Sequence, residues 1–248
     1  MLDPERWLPA RVTHRVAWDE GLFTVQLDMV RAFEPGQFVK LARWCEHGEA
    51  HRAYSIASAP DAPLEFFVVR VDGGLLSPCL DALRPGDEIH VGRSIVGGFT
   101  LAKIPEDDAR TLWMVATGTG LAPFISMLRH GALWQRFDRA VLVQGARVPS
   151  QLAYRDELAA LSRERPLTVL SNTTREPTPD GLFGRVTTLL DSGALEAAAG
   201  EAIAPGRSHV MLCGNPEMVD QLRHQLRDRG LELHTPRRHG AVHLEKYW

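Results

Sequence analysis

A chain of 248 residues with 44% hydrophobic and 24% charged residues can bury a substantial core, which excludes an intrinsically disordered protein. Its formal net charge of −3 excludes bulk attraction to nucleic acid, so any positive patch must be local. The three cysteines, Cys45, Cys79 and Cys213, are too few for an iron–sulfur cluster or a four-cysteine zinc site within the chain.

Cysteine usage and apolar runs bear on where the protein works. The cysteines are odd in number, far apart and without a Cys-x-x-Cys pair, which predicts no disulfide framework and therefore a reducing compartment. No stretch approaches about 18 consecutive apolar residues, and the N-terminus has no apolar signal core. We expect a cytoplasmic protein that does not enter a membrane.

Residues 1–102 have the pattern of a β-domain. Short segments rich in Val, Phe, Ile and Leu occur at 11–18, 22–29, 36–43, 64–71 and 87–92, separated by turn sequences such as Arg84-Pro85-Gly86-Asp87. Five or more strands at this spacing predict a small antiparallel barrel. Ser77 and Pro78 are typical of a helix start, so a short helix is expected over 77–83.

The rest of the chain alternates between strands and helices. Strands are predicted at 112–116, 140–144, 167–172 and 209–213, and helices at 121–134, 152–163 and 216–229. This order predicts a doubly wound parallel sheet over residues 103–248. The polar segment 103–109 is the expected join between the domains, and residues 193–206 are expected to form a loose connection.

Two motifs in the first half suit a flavin nucleotide. In the segment Arg52 to Ser55, the Tyr54 ring can stack on a flavin, the arginine can fork onto a pyrophosphate, and the serine hydroxyl can reach the flavin N5 edge. In Gly73 to Pro78, glycines before a helix start let backbone N–H groups approach an anion. The alternatives are a strand with a surface charge and a turn followed by a helix cap.

Two glycine turns in the second half have the context of a nucleotide site. The segment from Ala116 to Pro123 follows an apolar strand and opens a helix, although Pro123 stands where a third glycine of the dinucleotide fingerprint would be. The segment from Cys213 to Met218 repeats the order of strand, glycine turn and helix. A purely structural role for the turns is the alternative. Since the carboxyl ends of parallel strands form the ligand crevice, two such turns in one domain favour a bound nucleotide.

These motifs, with a terminal aromatic pair, resemble those of ferredoxin/flavodoxin–NADP⁺ reductases of the bacterial type, over nearly the whole chain. The resemblance implies an N-terminal antiparallel Greek-key barrel that binds FAD (1–102). It also implies a doubly wound domain that binds NADP(H) (103–248), whose C-terminal tail returns to the flavin. It implies hydride exchange with NADP(H) coupled to one-electron transfer with a ferredoxin or flavodoxin, in a monomer.

The resemblance also implies the residues of each site. The FAD residues would be Arg52, Ala53, Tyr54, Ser55, Phe67, Val68, Val69, Arg70, Gly74, Leu75, Leu76, Ser77, Thr119, Tyr247 and, on the adenine, Trp248. The NADP residues would be Thr117, Gly118, Gly120, Arg147, Thr174, Arg175, Arg185, Cys213, Gly214 and Met218. Ser55, Cys213, Glu245 and Tyr247 would shape the nicotinamide subsite and serve catalysis. Arg70 could equally face solvent.

Three arginines favour NADP over NAD. Arg147, Arg175 and Arg185 follow successive strands, and the 2′-phosphate of NADP requires cations near it. Any one of them could be an ordinary surface arginine.

Other functions are open at the level of sequence. A free-flavin reductase, a reductase that supplies an oxygenase through a separate ferredoxin, and a non-catalytic protein of the same fold are the alternatives. No metal site is expected, and His234, His239 and His243 are expected to face solvent. Arg237, Arg238 and His239 form a candidate positive patch for an acidic carrier protein.

Overall fold

The structure, a computed structural model, describes residues 2–46 and 48–247. The chain divides into two compact units. The first runs up to Leu101 and also includes Ala122–Gly131. The second comprises Ala102–Leu121 and the chain from Ala132 onward.

Six antiparallel strands form the sheet of the first unit. They are β1 (Trp7–Asp19), β2 (Leu22–Val30), β3 (Phe38–Cys45), β4 (Gly48–Ser55), β5 (Pro63–Val69) and β6 (Glu88–Val96). Their order is β4-β3-β6-β1-β2-β5, and a bridge from Ile56, directly after β4, to Phe66 in β5 joins the two outer strands. The predicted antiparallel Greek-key barrel is therefore confirmed.

Alternating apolar residues explain how the barrel is filled. Phe23, Val25 and Leu27 are fully buried at every second position of β2, as expected for a strand with one face on the core. A short helix, α1 (Ser77–Asp81), adds Leu80 to the same core cluster, and Leu76, directly before the helix, joins it as well. The predicted helix is thus present, although it ends earlier than expected.

Helix α2 (Ala122–His130) packs within the first unit, although the sequence places it in the second domain. The Ser126 hydroxyl donates a 2.6 Å hydrogen bond to the Ser58 carbonyl. Arg129 donates to the Ala57 carbonyl and forms an ion pair of 2.9 Å with Glu65. These bonds hold the segment that directly follows β4.

Two features of the first unit differ from the sequence predictions. Strand β4 was not predicted, because few of its residues are apolar and it lies at the edge of the sheet. No disulfide framework was expected, but one disulfide joins Cys45 and Cys79, whose Cα atoms are 6.2 Å apart. Sequence separation concealed the pair, because the end of β3 and helix α1 adjoin only in the fold. This pairing removes the cysteine argument for a reducing compartment.

Six parallel strands form the sheet of the second unit. They are β7 (Thr111–Thr117), β8 (Arg139–Ala146), β9 (Leu167–Thr173), β10 (Leu182–Phe183), β11 (Ser208–Gly214) and β12 (Val242–Lys246), in the order β10-β9-β8-β7-β11-β12. The helices are α3 (Arg155–Glu164), α4 (Val186–Asp191), α5 (Ala194–Ala199) and α6 (Pro216–Asp228). The predicted doubly wound sheet is confirmed.

The second unit also shows where weak patterns misled the prediction. The expected loose connection over 193–206 contains α5, whose Leu195 joins the core. Strands β10 and β12 and helix α4 are only two to six residues long, too short to show a clear period. Among the described residues, no helix is long and apolar enough to cross a membrane. In that same part of the chain, no cluster of three or more His, Cys, Asp or Glu side chains could hold a metal ion.

Histidines pack together beside β12. His243 is 7% exposed and its ring stacks on His234, with centroids 4.7 Å apart. The buried His209 ring has its centroid 6.2 Å from that of His243, and its Nε2 lies 3.0 Å from an Asp107 carboxylate oxygen. His239 is exposed, with its ring centroid 5.8 Å from that of His234. The expectation that these C-terminal histidines face solvent is wrong for His243, since the pairing of β12 with β11 carries it into the interior.

Acidification is expected to destabilise the second unit through His243. Burial, followed by the charges of His234, His209 and Arg136, lowers the pKa of His243 from 6.5 to about 3. The unfolded chain therefore binds one more proton than the folded chain across that window. The contribution of the neutral His243 to the free energy of unfolding is fully present above pH 6.5. About 1.4 kcal/mol of it is lost for each pH unit as the pH falls from 6.5 toward 3.

Urea unfolding at pH 7.5 and pH 5 measures this effect. The variant His243→Leu is expected to flatten the pH dependence, because it removes the buried imidazole. The exposed His224 serves as the control, and His224→Gln should leave the dependence unchanged. The facing groups Asp107, Arg136, His209, His234 and His239 are present in both variants. If the free energy of unfolding falls equally between pH 7.5 and pH 5 in the wild type and in His243→Leu, His243 is not the group responsible.

Candidate functional site

The end of β4 presents the first candidate group of the barrel. Arg52 and Ala53 are exposed, Tyr54 is half-buried, and Ser55 is buried at 6% exposure. Arg52 and Tyr54 are two residues apart in a strand, so their side chains lie on the same face. Burial raises the pKa of Tyr54 to about 12, and the Arg52 guanidinium offsets part of this shift. The phenol is therefore neutral and flanked by a cation.

The turn before α1 presents the second group. The Gly74 N–H donates to the Val71 carbonyl at 2.9 Å, and the Val71 N–H donates to the Ser77 hydroxyl at 2.9 Å. A Cβ on Gly74 would lie 2.9 Å from the Val71 oxygen, so the turn requires a residue without a side chain. Leu75 and Val71 are each 51% exposed. The turn thus combines a compact backbone with apolar side chains open to a ligand.

The four residues from Phe67 to Arg70 differ in what they can offer a cofactor. Phe67 and Val68 are buried, and Val69 is 37% exposed. Arg70 forms ion pairs with Asp81 at 3.1 Å, Asp72 at 3.3 Å and Glu20 at 3.5 Å. The side chains of Val68 and Leu76 belong to the barrel core, so only their backbone atoms can serve a ligand.

In the second unit, the two predicted glycine turns pack against each other backbone to backbone. A Cβ on Gly120 would lie 2.4 Å from the Cys213 oxygen and 2.7 Å from the Gly214 Cα. Gly214 has a φ of +133°, and a Cβ there would lie 2.4 Å from the Thr117 hydroxyl. Close approach of the two backbones therefore requires glycine at Gly120, after β7, and at Gly214, the last residue of β11. Both turns lie at the carboxyl edge of the sheet, where doubly wound folds bind nucleotides.

Asn215 fixes the second of these turns, a role that was not predicted from the sequence. Its backbone N–H donates to the Thr117 hydroxyl at 3.0 Å. Its side-chain oxygen accepts from the Met218 N–H at 3.1 Å and so caps α6, with Pro216 in the first turn. Asn followed by Pro at the start of a helix was the signal that could have identified it.

Cys213, Glu245 and Tyr247 come together, as the resemblance implies. The register of β11 and β12 pairs Cys213 with Glu245, and the Tyr247 N–H donates to the Gly214 carbonyl at 3.0 Å. Burial and then the charge of Glu245 raise the pKa of the Cys213 thiol well above its ordinary value, against a weaker effect of the Tyr247 hydrogen bond. Cys213 is therefore a neutral thiol at pH 7, which suits contact with a ring better than nucleophilic attack.

The remaining turn residues fall at the same sheet edge. Gly118 and Thr119 lie in a 3₁₀ turn over Gly118–Leu121, with Gly118 exposed and Thr119 half-buried. Met218 lies in the first turn of α6 and is 8% exposed. Trp248, the expected adenine contact, lies outside the described residues.

Three exposed arginines follow strands of this sheet. Arg147 follows β8, Arg175 follows β9 and Arg185 precedes α4. The Arg147 carbonyl accepts hydrogen bonds from the N–H groups of Thr174 and Arg175, so the first two loops adjoin. Within residues 2–46 and 48–247, none of the three guanidinium groups forms an ion pair.

The chemistry of these residues fits a phosphorylated dinucleotide. The uncompensated guanidinium groups offer charge and forked donors to a phosphate. Two buried polar atoms at the end of β9, the Asn172 side-chain oxygen and the Thr173 hydroxyl, have no hydrogen-bond partner among the described residues. In the barrel, Arg52, Tyr54 and the Gly74 turn likewise offer the cation, the aromatic face and the backbone that a flavin nucleotide requires.

Comparisons with known proteins match a nucleotide-binding oxidoreductase domain family to each half of the chain. The oxidoreductase FAD-binding domain family matches residues 9–98, and the oxidoreductase NAD-binding domain family matches residues 114–224. A flavodoxin/ferredoxin–NADP reductase of Shigella flexneri is 41% identical over 217 residues, which are 86% of this chain and 87% of that protein. A protein of the same name from Buchnera aphidicola is 35% identical over 98% of this chain and 99% of its own length.

A solved structure extends the similarity to the fold. A ferredoxin NADP⁺ reductase from Neisseria gonorrhoeae with bound FAD and NADP superposes with a TM-score of 0.92 at 32% identity. The match covers 98% of this chain and 99% of that one.

Proposed function

This chain belongs to the family of flavodoxin/ferredoxin–NADP reductases, and we propose that it exchanges a hydride between NADP(H) and FAD and single electrons with a small carrier protein. The observation that carries the proposal is the pair of backbone-packed glycine turns at the sheet edge that also carries three exposed arginines without an ion-pair partner among the described residues. The barrel motifs around Arg52 and Gly74 supply the matching flavin site.

The proposed flavin site uses side chains for the ring and both side chains and backbone for the pyrophosphate. FAD, when bound, supplies the hydride and one-electron chemistry. Tyr54 offers its ring face to the flavin, Ser55 a hydroxyl, and Arg52 a charged fork to the pyrophosphate. The Gly74 turn places the backbone N–H groups of Leu75, Leu76 and Ser77 as donors, while Phe67, Val68, Val69 and Arg70 contribute the strand edge.

The proposed NADP site runs along the carboxyl edge of the second sheet. The turns with Thr117, Gly118, Gly120 and Gly214 cradle the dinucleotide, and Thr174, Arg175, Arg147 and Arg185 hold the 2′-phosphate. Cys213, with Glu245 and Met218, shapes the nicotinamide subsite. The family resemblance assigns Thr119, Tyr247 and Trp248 to the binding of FAD.

The test is a visible spectrum followed by anaerobic titration. The purified protein is expected to show bound-flavin bands that bleach on addition of NADPH and far less on addition of NADH. Added ferredoxin or flavodoxin should then reoxidise the protein. A protein that neither binds nor bleaches flavin contradicts the proposal. FAD lost during gel filtration favours the free-flavin reductase, and failure to reduce either carrier removes the proposed acceptor class.

Removing Arg175 is expected to abolish most of the preference for NADPH. A hydrogen bond to a charged group contributes about 1.5–3 kcal/mol, so Arg175→Ala should raise the KM for NADPH by about tenfold or more. The KM for NADH should stay the same, because NADH has no 2′-phosphate. The exposed Arg163 on α3 gives the control Arg163→Ala, which should change neither KM. Equal changes for both nucleotides count against the assignment.

We also propose that an acidic carrier uses the positive patch of Arg237, Arg238 and His239. All three side chains are exposed, and Arg238 lies 3.4 Å from Glu232, which neutralises part of its charge. Electron transfer to the carrier should slow as ionic strength rises, because salt screens long-range attraction. A rate that does not respond to salt removes this patch from the proposal.

A cytoplasmic location and a monomeric state complete the proposal. Both NADPH and a small diffusible carrier must reach the protein, which suits a free monomer in the compartment where the nucleotide is made. The reductase of an oxygenase system is the second candidate, since this chain could deliver electrons to a separate ferredoxin. Electron-transfer rates measured with a general ferredoxin and with the ferredoxin of an oxygenase system distinguish the two candidates, since the physiological carrier should be reduced faster.

A further inference from the structure

The disulfide between Cys45 and Cys79 joins two segments of the barrel that are 34 residues apart in sequence. Cys45 ends β3, and Cys79 lies inside α1. Their Cα separation of 6.2 Å is within the range that a disulfide can bridge. Both side chains are half-buried, so small thiols and disulfides can reach them.

On one side, the bond anchors the hairpin that carries Arg52 and Tyr54. The register of β3 and β4 pairs Leu41 with Arg52 and Val39 with Tyr54. Cys45 lies an even number of residues from Leu41 and Val39, so it shares their face of the sheet. Since β4 is an outer strand paired with β3, its position depends on the hairpin that Cys45 closes.

On the other side, the bond anchors the turn that precedes α1. Cys79 is two residues beyond Ser77, and its Sγ lies 3.7 Å from the Leu75 carbonyl oxygen. Leu76 and Leu80 already hold the helix in the core. The disulfide therefore fixes the β3–β4 hairpin relative to an anchored helix, and with it the spacing between Arg52 and the Gly74–Ser77 backbone.

We propose that Cys45 and Cys79 are a reversible dithiol–disulfide site, oxidised by small-molecule disulfides such as oxidised glutathione, and that closing the bond slows the release of FAD. The second half of this proposal rests on the flavin site proposed above. The Cys45–Cys79 bond closes a loop between β3 and α1. Closing a loop reduces the number of conformations that the chain can adopt. We therefore expect fewer conformations in which Arg52 moves away from the Gly74–Ser77 backbone and FAD can leave.

The reaction balances by two exchange steps. One cysteine thiolate attacks the small disulfide, forms a mixed disulfide and releases one small thiol after protonation. The second thiolate then attacks the mixed disulfide, forms the Cys45–Cys79 bond and releases the second small thiol. The two protein thiols are oxidised and the small disulfide is reduced to two thiols. Cys213 takes no part, because it is fully buried.

Thiol counting and mass mapping on the full chain test the site itself. The denatured protein is expected to show three thiols after reduction and one after equilibration with oxidised glutathione. Peptide mapping should find Cys45 linked to Cys79. Either single variant, Cys45→Ser or Cys79→Ser, should form no internal bond. Two remaining mixed disulfides, or three free thiols, overturn the site whether or not the protein binds FAD.

The rate of FAD release tests the coupling. Release into excess apo-flavoprotein acceptor is expected to be about threefold or more slower for the oxidised than for the reduced protein. Cys45→Ser and Cys79→Ser should release FAD at the same rate with and without reductant. Equal rates for the two states of the wild type overturn the coupling. Absence of FAD binding overturns the proposed flavin site instead, and the thiol count still decides the disulfide.

Discussion

Replacing Arg129 with alanine is expected to lower the free energy of unfolding of the first unit by about 3–5 kcal/mol. The guanidinium lies 2.9 Å from the Glu65 carboxylate, whose side chain is only 12% exposed, and it also donates to the Ala57 carbonyl. Removing it leaves a carboxylate in a low-dielectric site without this cation. Equilibrium unfolding in urea, followed by circular dichroism, measures the loss.

Two further variants distinguish a buried charge from a general defect. The exposed pair Arg227 and Asp228 has side chains that are 57% and 68% exposed, so Arg227→Ala should change stability by about 0.5 kcal/mol or less. The double variant Glu65→Met with Arg129→Met should recover most of the stability, because no charge remains to be desolvated. A loss below about 1 kcal/mol for Arg129→Ala contradicts the importance of the pair.

Replacing Gly120 with alanine is expected to disrupt the NADP site and to destabilise the second unit by about 3 kcal/mol. The new Cβ would lie 2.4 Å from the Cys213 carbonyl oxygen and 2.7 Å from the Gly214 Cα. Both are backbone atoms, so no side-chain rotation can relieve the overlap. The affinity for NADPH should fall by more than about tenfold, whereas FAD should remain bound, because its proposed residues in the barrel are unchanged.

Gly118 provides a comparison within the same turn. Its φ is +54°, but no atom lies within 4 Å of the position of a Cβ. Gly118→Ala should therefore cost about 1 kcal/mol, from backbone conformation alone. Unfolding curves and NADPH titrations on both variants distinguish the steric overlap expected at Gly120 from the backbone strain expected at Gly118. Equal effects of the two substitutions mean that the contact between the glycine turns is not the limiting feature.

The sequence predicted the elements whose patterns are long and regular. Strand β2 and helix α6 were predicted nearly to their ends because their apolar residues repeat with a clear period, and strand β7 because its apolar run is continuous. Strand β4 was missed because its sequence GEAHRAYS is mostly polar, although it carries Arg52 and Tyr54. Pairing with β3, and not intrinsic preference, makes it a strand.

Long-range contacts were beyond prediction from the chain alone. The glycine turns could be recognised one by one, but their mutual packing through Gly120 and Cys213 depends on the order of strands in the sheet. The pairing of Cys45 with Cys79 and the burial of His243 likewise depend on which elements become neighbours. Role assignments for Cys213, Glu245 and Tyr247 came from family resemblance, and the register of β11 and β12 supplies the proximity they require.

The position of α2 has a consequence for the order in which the protein acquires its structure during synthesis. All other parts of the first unit precede Ala102, yet Ser126 and Arg129 hold the segment after β4 from residues made later. A nascent chain that has emerged only to Leu101 therefore lacks the cation for Glu65. The first unit can be completed only after the ribosome has released residue 131, when β7 of the second unit has already been made.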